Sequence, residues 1–112
     1  MKEVTIKRSK WARGGRDTKL VNSDGTMCCL GFVCNAYKVP KYVMDTELPS
    51  YVQHPRVPAA LLVKYGGWDS WDSLLSEEAI MLNDNELITS KTRERKLTSL
   101  FKKVGIKLKF VP

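Results

Sequence analysis

The stretch Met27-Cys28-Cys29-Leu30-Gly31-Phe32-Val33-Cys34 dominates our interpretation of the fold. Residues 27–37 are apolar almost all round a helical projection, which predicts a helix buried on every side. Gly31 in the interior of such a helix costs about 1 kcal/mol relative to alanine. We therefore expect another segment of the chain, with the loop around Trp11 as one candidate, to press closely against Gly31.

Strand patterns lie at the two ends of the chain, and helical patterns lie between them. Residues 2–7 and 106–110 alternate apolar and polar side chains, whereas residues 91–104 carry apolar residues at the i, i+3, i+4, i+7 spacing of a helix. Because each terminal strand needs a partner, we predict one compact α+β domain over residues 1–112. Its short antiparallel sheet is formed by the N- and C-terminal strands, with a buried central helix and several short helices packed on one face.

Charge is distributed unevenly along the chain. Residues 1–20 carry seven Lys or Arg and two acids, a net +5, and residues 91–112 carry eight and one, a net +7. Residues 21–90 carry four and nine, a net −5. Pairing of the terminal strands would unite the basic ends in one positive face. Such a face suits an anionic partner, which could be a nucleic acid, a nucleotide-derived ligand or an acidic host protein.

A glycine loop supplies further candidates for ligand binding. Arginine can hold a phosphate through two hydrogen bonds, glycine lets a ligand approach the backbone, and tryptophan offers a stacking face. In the alternative interpretation, the tryptophan packs into the core and the charges only face solvent, and the sequence leaves both open. The predicted ligand-binding residues are Trp11, Arg13, Gly14, Gly15 and Arg16 in the loop, with Lys7, Lys10, Lys107 and Lys109 from the basic ends.

The three cysteines allow a second function of a different class. Cys28 and Cys29 fall in the first turn of the predicted helix, where the helix end favours a thiolate, so either could be the nucleophile of a thiol enzyme. The one histidine, His54, would have to be the base, and nothing in the sequence orients it. Free cysteine is among the most buried residue types. We therefore favour core positions for Cys28, Cys29 and Cys34 and a protein that is not an enzyme.

We expect no metal and no cofactor. Adjacent cysteines on a helix diverge by about 100° and cannot easily face one ion. The run Asn83-Asp84-Asn85 lacks the glycine and the distal glutamate of a calcium loop. Asn83 and Asp84 are better suited to hydrogen bonding the exposed ends of neighbouring helices.

Several short motifs follow one another in a recurrent order. They are Trp11-Ala12-Arg13-Gly14, Cys28-Cys29-Leu30-Gly31, Leu48-Pro49-x-x-Val52 and Leu82-Asn83-Asp84. This order, which spans most of the chain, resembles a family of small proteins encoded by phages and prophages. The resemblance implies a phage accessory protein that acts in host takeover or counter-defence. It is compatible with binding of an anionic partner and with a shape-based inhibitor or adaptor of a host protein complex.

The sequence also bears on location and assembly. It contains no apolar run long enough for a transmembrane helix, and no signal-peptide core follows Met1. We therefore expect a protein of the bacterial host cytoplasm without a membrane partner. The exposed edge of a two-stranded ribbon predicts a monomer or a weak homodimer.

Overall fold

Two strands from opposite ends of the chain pair side by side, and helices pack against them. The computed structural model describes residues 1–14, 19–46, 52, 54–65 and 73–112. Its elements are β1 (Lys2–Lys7), α1 (Cys29–Ala36), β2 (Lys64–Tyr65), β3 (Ser73–Leu74), α2 (Leu75–Asp84), α3 (Ser90–Lys102) and β4 (Ile106–Val111), with 3-10 turns at Arg8–Lys10, Lys41–Val43 and Ala59–Leu62. The α+β class is confirmed, and β1 pairs with β4 as the sequence predicts.

The direction of this pairing differs from the prediction. β1 and β4 run parallel, with Lys2 opposite Ile106 and Lys7 opposite Val111, so the predicted antiparallel sheet is wrong. Gly105, at φ +81°, turns the chain after α3 so that β4 begins beside the start of β1, where Lys2 N–H donates to the Gly105 carbonyl at 3.1 Å. Alternation of side chains shows which face of a strand is buried, but it carries no information on strand direction.

The paired strands have one buried face and one exposed face. The buried side chains are Val4 and Ile6 of β1 and Ile106 and Leu108 of β4. The exposed residues alternate with them and include Lys7, Lys107 and Lys109. The hydrophobic alternation of the sequence is thus realised in both strands, and it places these three lysines towards solvent.

α1 is the buried central helix that the sequence predicts. Every residue from Cys29 to Cys34 is buried. A Cβ atom on Gly31 would lie 1.9 Å from the Leu20 carbonyl oxygen and 2.8 Å from the Met27 Cβ. The predicted close approach to Gly31 is confirmed, but the segment that makes it is the backbone at Leu20 and not the Trp11 loop.

α3 confirms the amphipathic helix predicted near the C-terminus. It begins at the Thr89 cap, whose Oγ1 accepts from Thr92 N–H at 3.1 Å. Leu97, Leu100 and Phe101 are buried against the rest of the core. None of the described helices is both long enough and apolar enough to cross a membrane.

Replacing Gly31 with alanine should destabilise the protein. Helix propensity alone would favour alanine by about 1 kcal/mol. The new methyl group would instead collide with the Leu20 carbonyl, which is backbone and cannot rotate away. We expect the free energy of unfolding, measured in urea, to fall by about 3 kcal/mol or more.

The matched control is Asn35→Ala, an exposed position on the same helix. It should change the free energy of unfolding by less than about 0.5 kcal/mol. A Gly31→Ala protein as stable as the wild type would show that Leu20 does not pack as described.

Candidate anion-binding surface

The Asn83 side chain joins three separate segments inside the protein. Its Oδ1 accepts from Trp11 Nε1–H at 2.7 Å and from Cys29 N–H at 3.0 Å. Its Nδ2 donates to the Ala12 carbonyl at 2.9 Å and to Asp84 Oδ1 at 2.8 Å. We call this cluster the Asn83 junction. Because Cys29 is the first residue of α1, the predicted role of Asn83 at the end of a neighbouring helix is confirmed.

Trp11 and Arg13 serve the structure of their loop. Trp11 is 5% exposed, and its ring lies 5.1 Å from the Phe110 ring. The Arg13 guanidinium stacks over Trp11 at 4.5 Å and donates to the carbonyls of Trp11 and Arg8. The interpretation in which Trp11 packs into the core is therefore confirmed, and its face is not open for a ligand to stack on.

The glycines of this loop are only partly described. Gly14 N–H donates to the Asn83 carbonyl at 2.9 Å, and a Cβ on Gly14 would lie 3.3 Å from Arg93 Nη2. At φ +73° the position also favours glycine for conformational reasons. Packing thus accounts for Gly14, while Gly15 and Arg16, also predicted to bind a ligand, lie outside the described residues.

Arg93 is a buried arginine that closes the end of α2. Its Nε donates to the Leu82 carbonyl at 3.2 Å, and its Nη2 donates to the carbonyls of Asn85 and Ile88. The Leu82 carbonyl lies in the last turn of α2, and the other two follow that turn, so they lie where carbonyls have no partner within the helix. Burial lowers the pKa of Arg93, and the nearby charge of Arg13 lowers it further. Arg93 therefore contributes to the scaffold and not to an exposed site.

Arg8 and Glu94 neutralise each other across the molecule. Arg8 Nε and Nη2 donate to the two carboxylate oxygens of Glu94 at 2.9 and 2.8 Å. The hydrogen bond from Arg8 lowers the pKa of the Glu94 carboxyl. Glu94 is the one acid among residues 91–112, so the pair leaves the remaining charges of this segment uniformly positive.

All three cysteines are core residues. Cys28, Cys29 and Cys34 form no disulfide, and none of them has exposed surface. Burial raises the pKa of Cys29 well above its ordinary range and that of Cys34 to about 12. Desolvation therefore outweighs any stabilisation of a thiolate by the start of α1.

His54 is not placed as a base for these thiols. Its Nδ1 accepts from Arg56 N–H at 3.1 Å, within its own loop. Cys29 Sγ instead lies 3.8 Å from the Ala79 carbonyl. Among the described residues, no three His, Cys, Asp or Glu side chains are grouped so that they could hold a metal ion.

The outer side of α3 carries a row of cations. Lys91, Arg95 and Lys102 are exposed, and spacings of four and seven residues place them on one side of the helix. They lie opposite Leu97 and Leu100, which face the core, and they span about 16 Å along the helix axis. They were not among the predicted site residues, although the periodicity that locates the core face of the helix also locates this one.

A cleft joins α3 to the paired strands. Its volume is about 330 Å³, and Lys102 of α3 and Lys107 of β4 both line it. The other lining residues described are Met1, Thr98 and Leu108. The cationic side of α3 therefore meets the exposed face of the strands at one place.

Three of the predicted ligand-binding lysines share the exposed face of the strands. Lys107 and Lys109 alternate with buried residues on β4, and Lys7 occupies the same face of β1. Glu3 lies opposite Lys107 and adds one negative charge. Lys10 is exposed but lies in the 3-10 turn after β1. We define the basic surface as Lys91, Arg95, Lys102, Lys107 and Lys109, with Lys7 on the adjoining strand.

The buried thiols should make stability fall at high pH. An unfolded thiol titrates near about 8.5, whereas the pKa of Cys34 in the folded protein is about 12. Since the unfolded chain releases the proton first, the contribution of Cys34 is complete below pH ~8 and is lost as pH rises towards 12, by up to ~1.4 kcal/mol per pH unit. Urea unfolding between about pH 7 and 10.5 should show a shallower decline for Cys34→Ala than for the wild type.

A thiol reagent provides the control. It should modify none of the three cysteines in the folded protein at neutral pH and all of them in urea. Rapid modification of Cys28 or Cys29 in the folded protein would contradict their core assignment and revive the thiol-enzyme hypothesis.

Comparison of the chain with known protein families, curated proteins and solved structures found no match in any of the three. The resemblance to small phage proteins therefore stays a prediction. The function has to be argued from the placement of the side chains described above.

Proposed function

We propose that the protein is a non-enzymatic phage accessory protein whose basic surface binds the phosphate backbone of a nucleic acid. The observation that carries the proposal is the meeting of two exposed sets of cations at one cleft. One set follows the outer side of α3, and the other follows the exposed face of β4. Nucleic acid is a repeated anion that can contact both sets at once.

The extended row on α3 favours a polyanion over a small ligand. Lys91, Arg95 and Lys102 extend over about 16 Å, a length over which a double helix presents several phosphates. A small anion would contact only one or two of them. The Arg8–Glu94 pair removes the acid that would otherwise interrupt this row.

The cleft offers a place for a less charged part of the ligand. The lysines at its two sides can contact phosphates, while the exposed Met1 supplies apolar surface between them. Proteins bind single strands through a cationic track together with contacts to the unpaired bases. We therefore expect single-stranded nucleic acid to bind at least as tightly as a duplex.

The resemblance to phage proteins supplies the biological setting of the proposal. A protein that acts in host takeover or counter-defence in the bacterial cytoplasm would encounter nucleic acid there. Its action would be to cover or sequester the strand, since the described residues provide buried thiols and no assembled nucleophile and base.

Binding should depend strongly on salt and on the residues of the basic surface. We would measure fluorescence anisotropy of labelled single-stranded DNA, RNA and duplex DNA across a salt series. With about four phosphates neutralised, the logarithm of the single-strand affinity should fall with the logarithm of salt concentration with a slope near about −3. Charge reversal at Arg95, Lys102 or Lys107 should weaken binding at least about fivefold and make the slope shallower.

The controls are Lys38→Glu and Lys64→Glu, which change the net charge equally at exposed positions outside the basic surface. Each should weaken binding less than about twofold. Equal losses in all variants would mean that only the net charge matters. Affinity that is absent or insensitive to salt, or equal competition by polyglutamate, would overturn the proposal of a nucleic-acid ligand.

A further inference from the structure

We propose that the outer edge of β1 is the interface of a homodimer, in which β1 of a second copy pairs antiparallel to it about Thr5. The result would be a four-stranded sheet in the order β4, β1, β1, β4. The inference rests on the backbone and charges of β1 and does not depend on the proposed nucleic-acid ligand.

The hydrogen bond from Lys2 N–H to the Gly105 carbonyl fixes which groups of β1 face β4. In a parallel pair, alternate residues of each strand direct both backbone groups towards the partner. With Lys2 opposite Ile106, the residues of β1 that face β4 are Lys2, Val4 and Ile6. The backbone groups of the alternate residues, Glu3, Thr5 and Lys7, therefore point to the outer edge.

No strand of the described part of the chain pairs with this outer edge. Glu3, Thr5 and Lys7 are all exposed. Among the described residues, the N–H groups of all three and the carbonyls of Glu3 and Thr5 have no hydrogen bond at that edge. The Lys7 carbonyl is directed to Lys10 N–H in the 3-10 turn that follows β1. A row of unpaired N–H and C=O groups is a template for another strand.

The outer edge of β4, in contrast to that of β1, is covered by other parts of the protein. The residues of β4 whose backbone groups point away from β1 include Ile106 and Leu108. They are only 1% and 5% exposed, so their backbone is covered as well as their side chains. Of the two outer edges of this sheet, β1 therefore offers the accessible one.

The sequence of β1 is complementary to itself in one antiparallel register. When Thr5 lies opposite Thr5 of the second copy, Glu3 lies opposite Lys7 at both ends of the pair. All three outward-facing residues are then used, and opposite charges face each other across the strands. Registers centred on Glu3 or Lys7 would place like charges opposite each other. Displacing one strand by a single residue would place the outward-facing backbone groups of one copy opposite the inward-facing groups of the other.

The interface would be small, which predicts an association that depends on protein concentration. With the Lys7 carbonyls engaged in the 3-10 turns, the outward-facing residues of the two strands can form four backbone hydrogen bonds in an antiparallel ladder. Contacts of this size lie below the area of a permanent dimer. The second copy fits better than an unrelated extended peptide, because an arbitrary peptide would not match both charges.

Sedimentation of the full chain tests the dimer. The apparent mass should rise from 12.7 kDa towards twice that value as the concentration increases. Glu3→Lys and Lys7→Glu should each weaken self-association about tenfold, because each brings like charges together twice. An equimolar mixture of the two variants should associate again as a heterodimer, since its facing charges are opposite.

Thr5→Pro should abolish dimerisation, whereas Thr5→Ala should keep it.

Proline fits at Thr5 in the monomer, because the N–H that it removes points to the outer edge. Circular dichroism and thermal melting would confirm that the variant folds, and the charge variants decide the question if it does not. A wild-type protein that stays monomeric throughout would overturn the proposal. Self-association that persists in both charge variants, or a mixture that fails to associate, would overturn it equally.

Discussion

The hydrogen bonds of the Asn83 side chain are the constraint on which the rest of the fold depends. The Asn83 amide has four hydrogen-bond partners, of which two, Trp11 Nε1–H and Cys29 N–H, are donors to its oxygen. Both partners are buried, so each would be left without an acceptor if Asn83 were absent, at a cost of about 1–3 kcal/mol each. The junction thus fixes the start of α1, the end of α2 and the course of the Trp11 loop relative to one another.

This junction gives the recurrent motifs a physical meaning. Trp11, Cys29 and Asn83 come from three different motifs of the sequence, and the folded chain brings them to one cluster of hydrogen bonds. Gly31 of the second motif admits the Leu20 carbonyl beside it. The described residues of these three motifs therefore have roles in packing and internal hydrogen bonding, whereas Gly15 and Arg16 lie outside the described residues. Our proposal accordingly assigns the function to exposed charged residues outside these motifs.

Periodicity predicted much of the fold, and the limits of the prediction have physical causes. The alternation in β1 and β4 and the spacing of Leu97, Leu100 and Phe101 identified buried faces, since burial repeats with the geometry of each element. Strand direction was mispredicted, because it depends on where α3 ends. The neighbour of Gly31 could not be deduced either, because the contacting atom belongs to the backbone of Leu20.

The candidate site was predicted in part for similar reasons. Lys107 and Lys109 were expected at the surface because they alternate with apolar residues. Composition could not show which arginines have structural partners, and Arg8, Arg13 and Arg93 bind a carboxylate or carbonyls of the chain itself. The cationic side of α3 was within reach of the sequence, because it lies opposite the core face of the same helix.

The separation between a buried scaffold and a basic surface can be tested by a nuclear magnetic resonance titration of the folded protein with single-stranded DNA. We expect the amide signals of Arg95, Lys102 and Lys107 to shift in proportion to the bound fraction. The Trp11 indole N–H, which is held by Asn83, should stay in place. Shifts centred on the Trp11 indole and the Arg13 loop, with the signals of α3 and β4 unmoved, would contradict this division.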